Sequence, residues 1–153
     1  MVRLGTGDPA PPFSLMDQSG KSVSLSDFAG RHLLIYFYPE ADTPGCTVQS
    51  CEVRDARKDL SSIGVDVVGI SPDAPTDQAA FDQKFSLGFP LLSDLDHAIC
   101  DAYGVWDEEN EYSDEDDDVI RSSFLVGADG RIEQAWYQVT PEDTVPNLRK
   151  ALS

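Results

Sequence analysis

The apolar residues of this chain fall into blocks of two kinds. Leu33-Leu34-Ile35-Tyr36-Phe37-Tyr38 is the longest unbroken apolar run, and Val65-Asp66-Val67-Val68-Gly69-Ile70 is nearly unbroken. Such runs, lacking the alternation of a half-exposed strand, predict strands buried on both faces. Between them Val53, Ala56, Leu60 and Ile63 recur at helical spacing. Thr43 stands where a cap is needed, Pro44 at the first helical position and Gly64 at the stop, so a helix is predicted from Thr43 to Ile63. Pro75 to Ser86, with Ala79, Phe81 and Phe85 apolar, predicts a second helix. A short strand near Pro90-Leu91-Leu92 and a helix from Ser93 or Asp94 to Tyr103 follow.

The two ends have a different grammar. Phe13–Met16 and Ser22–Leu25 flank the turn Gln18-Ser19-Gly20, a β-hairpin pattern. Val119–Val126 and Ile132–Val139 flank Ala128-Asp129-Gly130, and so short a connection joins antiparallel strands. Pro141 to Leu152 closes the chain as a helix. Alternation of strand and helix in the middle requires parallel pairing with right-handed crossovers. The expected fold is therefore α/β: a mixed central sheet with helices on both faces and an N-terminal β-hairpin, in one domain spanning residues 1–153.

Charge narrows the partners. The formal net charge is -17, from 28 acidic against 11 basic residues. A surface of that sign repels phosphate backbones and anionic lipid, which argues against nucleic acid and membrane as partners. Met1 to Pro12 lacks the apolar core of a secretory leader, and Leu33–Tyr38 is far too short to span a bilayer, so a cytoplasmic protein is expected. The stretch Asp107–Asp118 is almost wholly acidic and predicts an open, self-repelling loop. Asp114, Asp116 and Asp118 open like an EF-hand, but Val119 stands at its glycine position and Leu125 at its terminal glutamate position, so that calcium motif fails.

The three cysteines are Cys46, Cys51 and Cys100, an odd number unlike a secreted disulfide framework. In a reducing compartment, closely spaced cysteines are more often redox-active or metal-binding than structural. On a wheel of about 100° per residue, Cys46 lies roughly 60° from the apolar stripe of the predicted helix and Cys51 roughly 160° from it. Cys51 is therefore expected to point away from the core unless another element covers it. Cys100, near the end of a predicted helix, has the look of a packed thiol.

Cys46 falls at the third position of a helix capped by Thr43, where free amides and the positive end of the helix dipole favour a thiolate. The preceding loop is expected to bring backbone donors and the Thr43 hydroxyl close to the sulfur. A thiolate so surrounded can attack one oxygen of a peroxide while the donors stabilise charge on the other. A nearby cation would help. Arg121, on a predicted strand, is one candidate, and the competing reading is a surface arginine paired with the acidic loop. Other thiol chemistries fit less well. The spacing is C-x-x-x-x-C rather than C-x-x-C, a structural zinc site wants four ligands, and His32 and His97 are scattered.

The run Phe37-Tyr38-Pro39-Glu40-Ala41-Asp42-Thr43-Pro44-Gly45-Cys46-Thr47 resembles the active-site segment of peroxiredoxins, with Pro39, Thr43 and Cys46 matching the family pattern P-x-x-x-T-x-x-C. Cys51, followed by Glu52 and Arg54, looks like the subgroup called PrxQ or bacterioferritin comigratory protein. Asp8-Pro9-Ala10-Pro11, Val68-Gly69-Ile70-Ser71, Phe89–Asp94, Tyr103–Trp106 and Arg121–Leu125 fall in family order, so the likeness runs almost end to end. The resemblance implies a thioredoxin-like fold and reduction of hydrogen peroxide and organic hydroperoxides. It implies Cys46 as the peroxidatic cysteine and Cys51 as the resolving one, with Thr43 and Arg121 positioning peroxide and thiolate and Pro39 shielding the pocket. It further implies regeneration by thioredoxin, a glutaredoxin-like protein or a related dithiol, no metal or organic cofactor, and a monomer. Relatives often carry basic and glycine residues just before the Arg121 strand, where this chain has Asp114–Asp118. The alternative function is a redox-sensing thiol module that uses the same cysteine pair without rapid turnover.

Overall fold

The computed structural model describes residues 3–107 and 119–152. In chain order the strands are β1 (Ser14–Met16), β2 (Ser22–Ser24), β3 (His32–Phe37), β4 (Val65–Ser71), β5 (Leu91–Ser93), β6 (Ser122–Val126) and β7 (Ile132–Trp136). The helices are α1 (Pro44–Ser62), α2 (Pro75–Phe85), α3 (Ala98–Ala102) and α4 (Thr144–Leu152). The strands form one sheet in the order β2-β1-β5-β4-β3-β6-β7. β3, β4 and β5 are parallel, whereas β1 with β2, β3 with β6 and β6 with β7 are antiparallel. This is the mixed sheet that the hydrophobic pattern predicts.

β3 shows why its run is apolar at every position. Leu33, Ile35 and Phe37 pack with Val68, Ile70, Cys100, Tyr103 and Phe124 on one face of the sheet. Leu34, Tyr36 and Tyr38 pack with Cys46, Val53, Ala56, Leu60, Phe81 and Leu148 on the other. Thus α1, α2 and α4 cover one face, and α3 with the N-terminal segment covers the opposite one. Each large apolar side chain removed from water in this way contributes about 1.5–3 kcal/mol. Along the α1 face, Tyr36, Ser123 and Trp136 form one cross-strand row, because Tyr36 pairs with Ser123 and Ser123 with Trp136.

Close packing at the middle of this sheet depends on one glycine. The Tyr36 and Tyr38 rings stack with centroids 5.5 Å apart, and Phe89 meets Tyr36 edge-on. Gly69 sits opposite Tyr36 in the β3–β4 register. A Cβ there would lie 2.8 Å from the tip of Tyr36 and 3.0 Å from the Tyr38 ring. Both rings are fully buried and cannot retreat into solvent. Gly69→Ala is therefore expected to cost about 1–3 kcal/mol by overpacking. Thermal unfolding should show it as a Tm lowered by about 2–4 °C per kcal/mol for a chain of this size.

The structure differs from the sequence expectation at several boundaries. The helix predicted from Ser93 or Asp94 begins only at Ala98. The Asp94 carboxylate accepts the backbone N–H of Ile99 at 3.2 Å and of Cys100 at 2.7 Å, so it caps the helix from several residues upstream. His97, in the left-handed region with φ 53°, lies in that turn and stacks flat on Trp106. β6 starts at Ser122 rather than Val119, because Val119 pairs with Trp106 in an isolated bridge. β7 ends at Trp136, short of Val139, and Pro141–Asp143 form a 3₁₀ turn before α4. Ile63, placed in the apolar stripe by its spacing, is the C-cap of α1 and is 61% exposed. The acidic loop lies outside the described residues except for Asp107, which is buried, and so do Asp114, Asp116 and Asp118 of the failed calcium motif. Among the described residues no helix is long and apolar enough to cross a membrane.

Candidate active site

β3 is the central strand, and the chain leaves its C-terminal end through a short loop that turns directly into α1. Thr43 takes the extended backbone of a helix cap, with φ -95° and ψ 158°, and Pro44 opens the helix. Cys46 consequently sits in the first turn, as the spacing predicts, and is fully buried with a free thiol. β6 runs antiparallel to β3, with Ser122 opposite Phe37. The residue before Ser122 must therefore arrive beside the end of β3, which is where Arg121 stands. Its carbonyl accepts the Val139 N–H at 2.9 Å, which fixes the backbone. It precedes the strand instead of lying on it.

The Arg121 side chain is aimed at the cysteine. Nη1 donates to Cys46 Sγ at 3.4 Å and to Gln49 Oε1 at 2.8 Å. Gln49 lies three residues beyond Cys46, on the same side of α1, and is fully buried. Its Nε2 donates to Thr144 Oγ1 at 2.8 Å, and Thr144, the first residue of α4, is also fully buried. Gly45 completes the wall. A Cβ on it would lie 3.0 Å from Arg121 Nη2 and 3.2 Å from Pro141 Cγ, so a side chain there would push the guanidinium off its line. Gln49, Thr144 and Gly45 were not singled out by the sequence reading. Only Gln49 carried a signal, its i+3 spacing from Cys46.

The loop ahead of the helix is tied down at several points. Thr43 is at the cap position, but its hydroxyl donates to the Glu40 carbonyl at 2.8 Å rather than to a helix amide. The hydroxyl oxygen keeps its lone pairs for a donor such as a peroxide O–H. The Ala41 N–H donates to Asp73 Oδ2 at 2.8 Å. Asp42, at φ 62°, accepts Lys84 Nζ on both carboxylate oxygens at 2.9 and 3.1 Å. Pro39 is half-buried at the mouth of this loop, between fully buried Tyr38 and exposed Glu40.

The other thiols have different settings. The helical wheel turns Cys51 away from the core unless another element covers that face. Cys51 is half-buried against the cluster that contains Cys46, on a helix tied to α2 by the Arg54 Nη1 bond to the Phe85 carbonyl at 2.7 Å. Both cysteines belong to one unbroken α1. Beside Cys51, burial and the nearby carboxylates of Glu142 and Asp55 push the Glu52 carboxyl above its ordinary range. Cys100 is fully buried. Burial, followed by the negative Asp94 and a hydrogen bond to it, pushes the Cys100 thiol far up, which leaves it a poor nucleophile.

Neither histidine joins the site. His32 is at the opposite end of β3, with Nε2 2.8 Å from Glu133 Oε2, and His97 packs on Trp106. Among the described residues there is no group of His, Cys, Asp and Glu that could hold a metal ion.

The arrangement is a buried thiol on a helix N-terminus, with a cation donating to it and a second thiol further along the same helix. Comparison with known proteins shows the family of the chain. Residues 6–135 match the AhpC/TSA family. The chain is 50% identical over 136 residues to peroxiredoxin Bcp of Escherichia coli strain K12, covering 89% of this chain and 87% of that protein. It is 47% identical over 152 residues to a putative peroxiredoxin of Mycobacterium tuberculosis strain H37Rv, covering 99% of this chain and 97% of the relative. The fold superimposes on a Xanthomonas campestris bacterioferritin comigratory protein, a structure concerned with alkyl peroxide reduction, with TM-score 0.84 and 32% identity over 92% of this chain and 89% of that one. These neighbours share the thioredoxin-like α/β fold.

Proposed function

The chain belongs to the AhpC/TSA family, among its Bcp/PrxQ peroxiredoxins, and on that premise we propose that it reduces hydrogen peroxide and organic hydroperoxides through Cys46, with Cys51 as resolving thiol. The observation that carries this reading is the Arg121 Nη1 donor 3.4 Å from the buried Cys46 sulfur. A guanidinium has donors only, so the sulfur is the acceptor there. The guanidinium donates to a sulfur in the first turn of α1 and remains available to a second electronegative atom placed beside it.

In the proposed cycle the Cys46 thiolate attacks one peroxide oxygen. The S–O bond forms as the O–O bond breaks, and the other oxygen leaves with a proton as water or alcohol. Cys46 is then a sulfenic acid. The Cys51 thiol displaces the hydroxyl from that sulfur, forming the disulfide and releasing water. A dithiol reductant, thioredoxin or a glutaredoxin-like protein, reduces the disulfide and restores both thiols. Thr43 and Arg121 orient the peroxide, and Pro39 shields the mouth of the pocket. Both thiols lie on one helix, so one chain suffices for the cycle, and we place it in the reducing cytoplasm.

The test is consumption of hydrogen peroxide and of an alkyl hydroperoxide by the purified protein with a dithiol reductant. Many equivalents consumed per protein support the peroxidase. Arrest after a single equivalent, with reductant in excess, overturns it in favour of a redox sensor.

A further inference from the structure

We infer that Thr144, at the start of the C-terminal helix, is a positioning residue for the peroxide step. It holds the Gln49 amide in the one orientation that keeps Arg121 on the Cys46 sulfur. The inference rests on the peroxidase reading above and extends it to a residue outside the active-site segment.

The two ends of a glutamine amide are chemically opposite. A guanidinium can only donate, so Gln49 must turn its oxygen toward Arg121, and Oε1 lies 2.8 Å from Nη1. That leaves the amide nitrogen pointing the other way in a fully buried site, where its protons need an acceptor. Thr144 Oγ1 supplies it at 2.8 Å. The Thr144 hydroxyl thus reaches the sulfur through two side chains. Nη1 is shared between Gln49 Oε1 and Cys46 Sγ, so a rotation of the amide alters the aim of the guanidinium at sulfur.

Pro141, a few residues upstream of Thr144, presses on the same place, since its Cγ would meet a Cβ on Gly45 at 3.2 Å. The 3₁₀ turn that leads into α4 therefore packs against Gly45, the residue that Arg121 Nη2 also approaches. Misplacing a group by about 1 Å can cost up to about a hundredfold in rate.

The experiment is the second-order rate constant of the fully reduced protein with hydrogen peroxide, measured by rapid mixing. Thr144→Val keeps the shape and removes the acceptor. It should slow this step by between about tenfold and a hundredfold. Thr144→Ser keeps the acceptor and should return the rate to within about twofold of the parent. In an Arg121→Met background, Thr144→Val should add nothing further, because the group it positions is gone. Reduction of the oxidised protein by dithiothreitol should be unchanged. A Thr144→Val rate within about twofold of the parent overturns the inference, as does an equal penalty in both backgrounds, which would mean a general packing effect. Should Thr144→Val fail to fold, Thr144→Ala carries the same comparison. A parent protein that does not react with peroxide overturns the peroxidase reading itself, and the inference with it.

Discussion

Cys46→Ser should abolish hydroperoxide turnover, by at least about 10³-fold, whereas Cys100→Ser should leave it close to the parent rate. The difference comes from two buried sulfurs in opposite surroundings. Cys46 sits in the first turn of α1, where Arg121 Nη1 donates to its sulfur at 3.4 Å. Cys100 faces the Asp94 carboxylate, and burial with that negative charge holds its thiol proton on. A serine at 100 can donate to Asp94 as the thiol does, so little is disturbed. A serine at 46 is a far weaker nucleophile. Cys51→Ser separates the two halves of the cycle. It should still consume about one equivalent of peroxide per chain with weak reductant, and then stop without closing a disulfide. The measurement is peroxide loss against time for the three variants, with free thiols counted before and after. A Cys100→Ser protein as inactive as Cys46→Ser would mean that Cys100 is the resolving partner.

The oxidised protein should have lost the first half of α1. Five residues along a helix place two Cα atoms roughly 8–9 Å apart and turn their Cβ vectors apart by about 140°. A disulfide spans at most about 7 Å between Cα atoms and needs the vectors to converge. Cys46 and Cys51 both lie in the intact helix with their thiols free. The geometry that places Cys46 under Arg121 is therefore incompatible with the bond that closes the cycle.

The polar residues of this segment suggest a helix that melts at little cost. The structure corrects that picture, because Gln49 and Ser50 are fully buried and face inward. Opening uncovers Cys46 and Val53 from the apolar cluster and breaks a set of polar bonds: Arg121 to Gln49, Gln49 to Thr144, and Tyr36 to Ser50 at 2.8 Å. Each contributes only about 0.5–1.5 kcal/mol net, since water replaces the partner once the turn opens. Circular dichroism should show less helix after one equivalent of peroxide, and amide exchange should quicken from about residue 43 to 55 and recover on reduction. An oxidised protein that keeps α1 intact would exclude Cys51 as the intramolecular partner and leave Cys100 or a second chain.

Much of this molecule can be read from its sequence, for identifiable reasons. The apolar run of β3 and the spacing along α1 are local signals, and both elements lie where they predict. Cys46 was legible because a proline, a cap and a cysteine at helical spacing specify a helix N-terminus without knowledge of the fold. Arg121 was legible only as a candidate. Its approach to Cys46 depends on β6 pairing antiparallel with β3, a contact across 75 positions of chain. Thr144 was not legible at all. Thr144 falls inside the helix predicted from Pro141, where a threonine carries no special signal, and only the packing of α4 against α1 turns its hydroxyl inward. The late start of α3 was missed for a similar reason, since Asp94 caps from a distance that local propensity does not weigh.

The row Tyr36, Ser123 and Trp136 has a spectroscopic consequence. Trp136 packs against the cluster that contains Cys46, and Tyr36 in the same row is bonded to Ser50 in the turn that must open. The other tryptophan, Trp106, is stacked on His97 and packs against the cluster on the opposite face of the sheet. Of the two indoles, one therefore borders the moving helix and the other stands apart from it. Intrinsic emission should change as α1 opens and recloses, so that each half-reaction can be timed optically in the native chain, with no dye, no label and no coupled enzyme.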